Sequence, residues 1–466
     1  MTSGDMMALM PLMILAVGSV LVLLTGAIKP GGYLYWLTGA LVIAAMLWSL
    51  LIPAGAVMPG LAFTAFSRFF ALVLNAAGLI ALLLASGYNR RREIAGEEYP
   101  ATILFALTGM GAACAATNLL ILFLGLESFT FAFYILVAIK RDSPRGGEAG
   151  LKYLLNGTLS AAILAMGMAL VYAARGTIGL AELASTSGGA YEPLFIAGCC
   201  LILLGMAFKL SLVPAHLWTA DVYEGAPAPV TALLSTASKG ASLAALLLLL
   251  PLFGDWQGLH DILWLLALLT MLAGNLAALV QKNIKRMLAW SSVGQMGYVA
   301  LALVALPAGG ARAAVFYLVA YAAAGVAAFG AISVLSGDGE CESIESYRGL
   351  GYRNPLAGAA LAVAMFSLAG IPPAAGFMGK FAVFTAALRG GEYALAIVGV
   401  LSALVAVYFY LRIVVVLYMK PATVEVEPVS LLDNAEKVAL LVPTVVMVLL
   451  GVYPQPLLEL LGKILI

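Results

Sequence analysis

Charge is scarce in this sequence: Asp, Glu, Lys and Arg make up 10% of 466 residues against 63% apolar residues, a balance that excludes a water-soluble globular protein. Histidine is rarer still, with two residues, and cysteine is confined to Cys114, Cys199, Cys200 and Cys341. No CxxC spacing occurs and no histidine lies near a cysteine, which argues against a zinc site, an iron–sulfur cluster or a disulfide framework. Neither sign of charge dominates: 24 Lys and Arg stand against 23 Asp and Glu, so there is no polybasic face for nucleic acid. The GxxxxGK[ST] loop, the GxGxxG turn and the GxSxG elbow are all missing, and with them any nucleotide-binding signature in the chain itself. Residues 1–7 carry Asp5 but no Lys or Arg, so the first apolar run lacks the basic region of a cleavable signal peptide and is expected to stay as a helix.

What the sequence does have is apolar runs of membrane-spanning length. They fall near 7–27, 33–52, 62–86, 100–116, 118–139, 149–174, 192–220, 226–250, 258–280, 283–305, 311–335, 355–388, 392–418 and 436–461. Their continuous hydrophobicity favours helices over an outer-membrane barrel, whose strands would alternate. The expectation is an all-α integral membrane protein of about fourteen transmembrane helices with no soluble domain. Lys29, Arg90, Arg91, Arg92, Lys140, Arg141, Arg145, Lys282, Lys285, Arg286, Arg348, Arg353 and Lys420 fall in loops after odd-numbered runs. Basic residues stay on the cytoplasmic side, which places both termini outside, in the periplasm of a bacterial inner membrane.

Two runs are long and interrupted: the seventh by Pro214, the twelfth by Pro372 and Pro373 with Gly376. A proline frees backbone groups that hydrocarbon cannot satisfy, so such breaks persist where they are buried in protein or line a wet cavity. Discontinuous helices at matching places in two halves mark transporters with inverted repeats. On that basis the chain divides into helices one to three (1–99), a first repeat of helices four to eight (100–250), a second of helices nine to thirteen (251–418), and a last helix (419–466).

The few charges inside these runs carry the functional reading. Glu127 stands about 14 Å along its helix from Asn118 and about 20 Å from Lys140, near the midplane, and is the one acid placed deep inside. Lys239 and Lys380 reach similar depths by the same arithmetic, and Lys209 and Lys380 each adjoin a proline break. Facing lipid, one glutamate and three lysines would cost about 10–14 kcal/mol, so they must face protein or water. Two readings of Glu127 and Lys209 stand side by side: a proton-handling couple, or an ion pair that only fixes helix packing. Lys152 either joins the same axis or snorkels to the headgroups. His216, seven residues after Lys209, shares its helix face if the break is gentle and would then relay protons; the alternative is a neutral histidine beside Trp218 and Asp221. His260 should be solvated. Asn283-Ile284-Lys285-Arg286 reads as a cytoplasmic anchor.

Three stretches resemble a known family. Residues 208–230, from Phe208-Lys209-Leu210 through Pro214-Ala215-His216-Leu217-Trp218 and Tyr223-Glu224-Gly225-Ala226-Pro227, continuing to Lys239, resemble the signature of subunit N of the proton-pumping NADH:quinone oxidoreductase, respiratory complex I. Asn283-Ile284-Lys285-Arg286 through Gly297-Tyr298, and Ser367-Leu368-Ala369-Gly370-Ile371-Pro372-Pro373 through Gly379-Lys380-Phe381, are similar to two further motifs of that family. The resemblance covers essentially the whole chain. It implies a fourteen-helix fold with two inverted five-helix repeats. It also implies roles: Glu127 and Lys209 as the switching couple, Lys239 as central relay, Lys380 as relay toward the periplasm, with His216 and Lys152 at positions where the family has a histidine and a lysine. One departure is Gln295, where relatives often carry histidine. The resemblance further implies a non-redox translocase subunit that holds no cofactor or metal, with FMN, iron–sulfur clusters and quinone on partner subunits, and with antiporter-like paralogues among its neighbours. A subunit of a cation/proton antiporter without redox partners is the alternative, and a purely structural spacer leaves the cost of the buried charges unexplained.

Overall fold

The computed structural model describes residues 3–51, 55–94, 96, 98–185, 192–254, 256–337, 342–421 and 432–465. Helix occupies every apolar run identified above. In chain order the elements are α1 (Ser3–Ile28), α2 (Tyr33–Leu51), a hairpin of β1 (Ala56–Met58) and β2 (Leu61–Phe63), α3 (Ala65–Arg91), α4 (Glu98–Cys114), α5 (Leu119–Val137), α6 (Pro144–Arg175) and α7 (Leu180–Ser185). Then come α8 (Glu192–Lys209), α9 (Trp218–Gly225), α10 (Ala228–Leu249), α11 (Gln257–Leu279), α12 (Ile284–Val304), α13 (Gly310–Leu335) and α14 (Leu350–Arg353). The chain closes with α15 (Pro355–Ala369), α16 (Ala375–Arg389), α17 (Tyr393–Met419), α18 (Asn434–Val452) and α19 (Gln455–Ile464). Among the described residues twelve helices are long and apolar enough to cross a membrane, and the protein is membrane-embedded and helical.

The seventh run is two helices. α8 stops at Lys209, residues 210–217 are non-helical, and α9 begins at Trp218. Ser211 adopts φ +59°, a left-handed conformation that no helix continues through. The same-face argument linking Lys209 to His216 therefore fails, because the helical register does not run from one to the other. The twelfth run is likewise split into α15 and α16, with Gly370 in the left-handed region at φ +84° closing α15. Peptide bonds Val213–Pro214 and Pro372–Pro373 are both cis.

The last run, expected as one helix over 436–461, ends instead at Val452 and resumes at Gln455, since Pro454 has no amide hydrogen to extend the ladder. The β1–β2 hairpin was not foreseen: strands of three residues are too short to show a period of two in the sequence. Its turn depends on Gly60, at φ +88°, where a Cβ would stand 2.8 Å from Ile121 Cγ1.

The described residues form two compact units. The first comprises Met1–Leu82, Gly96–Leu210 and Ala237–Leu259. Within it α1 packs on α2 and α4, α4 on α5, and α6 on both α5 and α8. Small residues set the closest of these approaches: a Cβ on Gly125 of α5 would stand 2.6 Å from the Ala113 nitrogen of α4, and one on Gly167 of α6 would stand 2.7 Å from the Gly198 carbonyl of α8. The helices that carry Glu127 and Lys209 are held by backbone-to-backbone contact. The second unit comprises Leu83–Ala95, Ser211–Thr236 and His260–Ile466. Its centre is α13, which packs against α12, α15, α16 and α18, with α17 against α15 and α16.

Candidate functional site

In the first unit the end of α8 delivers Lys209 to one face of α5. Its Nζ donates to Glu127 Oε1 at 2.8 Å and to Thr130 Oγ1 at 2.6 Å, and lies 5.8 Å from the centre of the Phe129 ring. Glu127 and Thr130 are three residues apart, so one turn of helix presents both to the same ammonium. Thr130 donates its own hydroxyl hydrogen bond to the Leu126 carbonyl at 2.7 Å, which orients its oxygen lone pairs toward Lys209. The lysine side chain is 3% exposed and the glutamate 21%. Removing one partner of such a pair strands the other charge, typically at about 3–5 kcal/mol.

Glu127 is thus not the most enclosed acid. Glu436, at 0% exposure, is buried and pairs with Arg91 at 2.5 Å within the second unit. The sequence concealed it because Glu436 lies in the first turn of α18, three residues after the capping residue Asp433, where an acid reads as a helix cap. Arg91 sat in a basic triplet that read as a topology signal. Arg90, beside it, pairs with Asp433.

Lys239 is fully buried in α10, on a helix whose neighbouring turns carry Ser235, Thr236, Ser238 and Ser242, all buried. Lys152 is different in kind: its side chain is 43% exposed and pairs at 2.8 Å with Glu148, one turn earlier on α6.

Lys380, 5% exposed, lies in α16 of the second unit and donates to two backbone carbonyls, Leu368 at 2.8 Å and Ala369 at 3.1 Å. These belong to the last turn of α15, whose C-terminal carbonyls have no helical successor because the chain breaks at Gly370. A helix C-terminus carries partial negative charge, so the break itself supplies what an acid supplies to Lys209. The ring of Tyr298 faces the ammonium 5.2 Å away. Pro372 and Pro373 lie in the unwound stretch between α15 and α16, as Pro214 does between α8 and α9.

His216 packs its ring 5.2 Å from that of Trp290. Four buried polar atoms along this part of the second unit, Ser211 Oγ, His216 Nδ1, Thr219 Oγ1 and Trp290 Nε1, have no hydrogen-bond partner among the described residues. Buried polar atoms of this kind are ordinarily satisfied by ordered water. Nearby, Arg286 bridges Asp221 at 2.6 Å and Glu224 at 2.7 Å, tying α9 to α12, and Asn283 adds a 3.1 Å bond to Glu224. Lys285 does not reach for headgroups as an anchor would: it is 4% exposed and donates to the Ala226 carbonyl at 3.0 Å. His260 is 37% exposed and bonds Glu392 at 2.8 Å. Cys114 and Cys199 are buried thiols, whereas Cys341 lies outside the described residues.

Comparison with known proteins identifies the family. The family model described as NADH:quinone oxidoreductase/Mrp antiporter, TM, matches residues 116–406. The chain is 52% identical over 469 residues to NADH-quinone oxidoreductase subunit N of Geotalea uraniireducens (strain Rf4), covering 100% of both. It is 50% identical over 471 residues to the subunit N of Geobacter metallireducens, again over 100% of each. Among solved structures, respiratory complex I from Thermus thermophilus with bound aureothin contains a chain with TM-score 0.84 and 33% identity, covering 96% of this chain and 98% of that one. With a family model matched over more than half of the chain and relatives at 50% identity or more, the chain belongs to the subunit N family of NADH-quinone oxidoreductases.

Proposed function

We propose that the chain is a proton-translocating membrane subunit of a respiratory NADH:quinone oxidoreductase, taking up protons from the cytoplasm and releasing them outside. The observation that carries this reading is Lys209, an ammonium buried at the end of a broken helix and held by one carboxylate and one hydroxyl. Movement of Glu127 away from Lys209 leaves the charge unpaired in a medium that penalises it, so the proton is given up; return of the carboxylate restores the ammonium. Lys239 is the central relay and Lys380 the relay toward the outside. His216 sits where water-bridged transfer is favoured by unsatisfied polar atoms, and Lys152 serves uptake at the cytoplasmic end of α6.

In this proposal the chain crosses the membrane fourteen times, with α8–α9 and α15–α16 as discontinuous seventh and twelfth crossings, both termini in the periplasm, and two inverted five-helix repeats over residues 100–250 and 251–418. Electron transfer takes place elsewhere: FMN, iron–sulfur clusters and the quinone site belong to partner subunits, and other membrane subunits, including antiporter-like paralogues, flank this one. The reading is tested by Lys239→Ala in the assembled complex, which should depress proton pumping at least fivefold together with coupled electron transfer; normal pumping would remove Lys239 from the path.

A second reading has one observation in its favour, the inclusion of Mrp antiporters in the matching family model. A chain of that kind would exchange cations for protons with no redox partner, although lysines make a poor cage for a hard cation, which prefers oxygen ligands. Purification from the native host separates the two, because flavin and iron–sulfur signals accompany only the redox assembly.

A further inference from the structure

Beyond the charged axis, one uncharged polar side chain in the second unit has both its amide nitrogen and its amide oxygen bonded. Gln295, in α12, is 1% exposed. Its Nε2 donates to the Tyr410 hydroxyl at 2.7 Å and to the Leu368 carbonyl at 3.2 Å, while its Oε1 accepts from the Tyr317 hydroxyl. Tyr410 in turn shares a 2.5 Å bond with Ser291 Oγ, one turn before Gln295 on the same helix. The amide therefore joins α12 to α13 through Tyr317, to α15 through Leu368 and to α17 through Tyr410. The carbonyl it holds at Leu368 is also the nearer of the two that hold Lys380.

We infer that Gln295 is a positioning residue for Lys380, acting through the shared carbonyl of Leu368. The last turn of α15 is followed directly by unwound backbone, and α15 ends two residues after Ser367. Without an outside donor a carbonyl in that turn can tilt toward either neighbour or solvent, and the ammonium would lose its nearer acceptor. Two amide protons and one amide oxygen, all engaged, leave Gln295 a single orientation, and the orientation fixes the carbonyl. An amide neither gains nor loses a proton under physiological conditions. It can hold the geometry around a lysine through each cycle of protonation without storing charge of its own, which a carboxylate in its place would not do. Ser367, next to Leu368 in α15, ties the two sides of the break together, its Oγ accepting from the Gly376 nitrogen of α16 at 3.1 Å.

The inference rests on Lys380 being part of the proton path. The test uses membrane vesicles containing the full complex, with subunit content measured by immunoblot and pumping expressed per quinone reduced. Gln295→Met keeps the length and volume but removes every hydrogen bond, and it should lower pumping per quinone about fivefold in assembled complex. Gln295→His, which retains one donor and one acceptor, should restore at least half of the wild-type value. Equal, wild-type pumping in both variants overturns the assignment, and so does equal loss in both, since then hydrogen bonding to Leu368 is not what matters. Should the methionine variant fail to assemble, Tyr317→Phe combined with Tyr410→Phe frees the amide to rotate while leaving the core packed; a loss of about twofold or more supports the inference, and unchanged pumping overturns it. Lys380→Ala, run in parallel, separates the two levels: if that change leaves pumping intact, the proton-path reading of Lys380 fails, whereas loss with Lys380→Ala and none with the Gln295 variants defeats the positioning inference alone.

Discussion

Lys209 and Lys380 carry the same charge beside broken helices in two different units, and the fold holds them by different means. Lys209 is met by a carboxylate and a hydroxyl presented from one turn of α5, whereas Lys380 is met by the open end of α15 and, among the described residues, is bonded to no acid. A side-chain acid can swing, rotate or take up a proton, so the Lys209 arrangement can be switched. Backbone carbonyls at a helix terminus cannot, and the Lys380 arrangement stays set unless the break itself moves. One sequence thus contains both a changeable and a fixed way to keep an ammonium in an apolar interior, which suits a path in which one station triggers and another passes the proton on.

The comparison can be broken most sharply at Glu127. Glu127→Gln removes the anion and keeps an acceptor, and it should lower pumping in assembled complex about tenfold while leaving the Lys380 environment untouched. Wild-type pumping would mean that Lys209 needs no more from an acid than Lys380 does, and the pair would revert to a packing role. A smaller effect is expected from Thr130→Val, which keeps the shape and deletes one bond to the ammonium. Hydrogen bonds to charged groups contribute about 1.5–3 kcal/mol, and with Glu127 still in place a loss of about threefold in pumping is the expected outcome. A loss as large as that of Glu127→Gln would make the hydroxyl, not the carboxylate, the main anchor.

The smallest effect lies outside the spans and contrasts an exposed ion cluster with the buried ones. Arg348, and after it Lys420, hold the Glu345 carboxyl below its ordinary value through hydrogen bonds. A depressed carboxylate contributes stability above its unfolded pKa and loses it as pH falls through the folded value. Glu345→Gln should therefore lower the thermal midpoint of the purified complex slightly at pH 7, with the difference shrinking only as the pH falls below about 4.5. A difference that does not depend on pH would show that the charge of Glu345 is not what stabilises the loop.

Much of the architecture was legible in the sequence because lipid permits few alternatives. A backbone in hydrocarbon must satisfy its own hydrogen bonds, so runs of apolar residues become helices, and the prolines at 214, 372 and 373 fall where the helices stop. Glu127 and Lys209 stood out by the cost of their charge, and opposite signs at similar depth made them a pair. That Thr130 completes their site was available from its spacing of three residues, a signal weaker than charge. Glu436 and Lys285 were hidden, because helix ends and basic loop clusters carry charges for ordinary reasons, and burial there depends on what packs against them.

The sequence by itself determined a helical membrane protein, the places where its helices break and the charges that have to be kept from lipid, since each follows from local composition and the energetics of burial. Apart from the Glu127–Lys209 pair, the partners were decided by the tertiary structure. That Thr130 joins Glu127 on Lys209, that a helix end takes the place of an acid for Lys380, and that Gln295 shares a carbonyl with that lysine all depend on contacts between residues 12 to 79 positions apart. Hydrogen bonds act over about 3 Å, and only the packed fold sets distances on that scale.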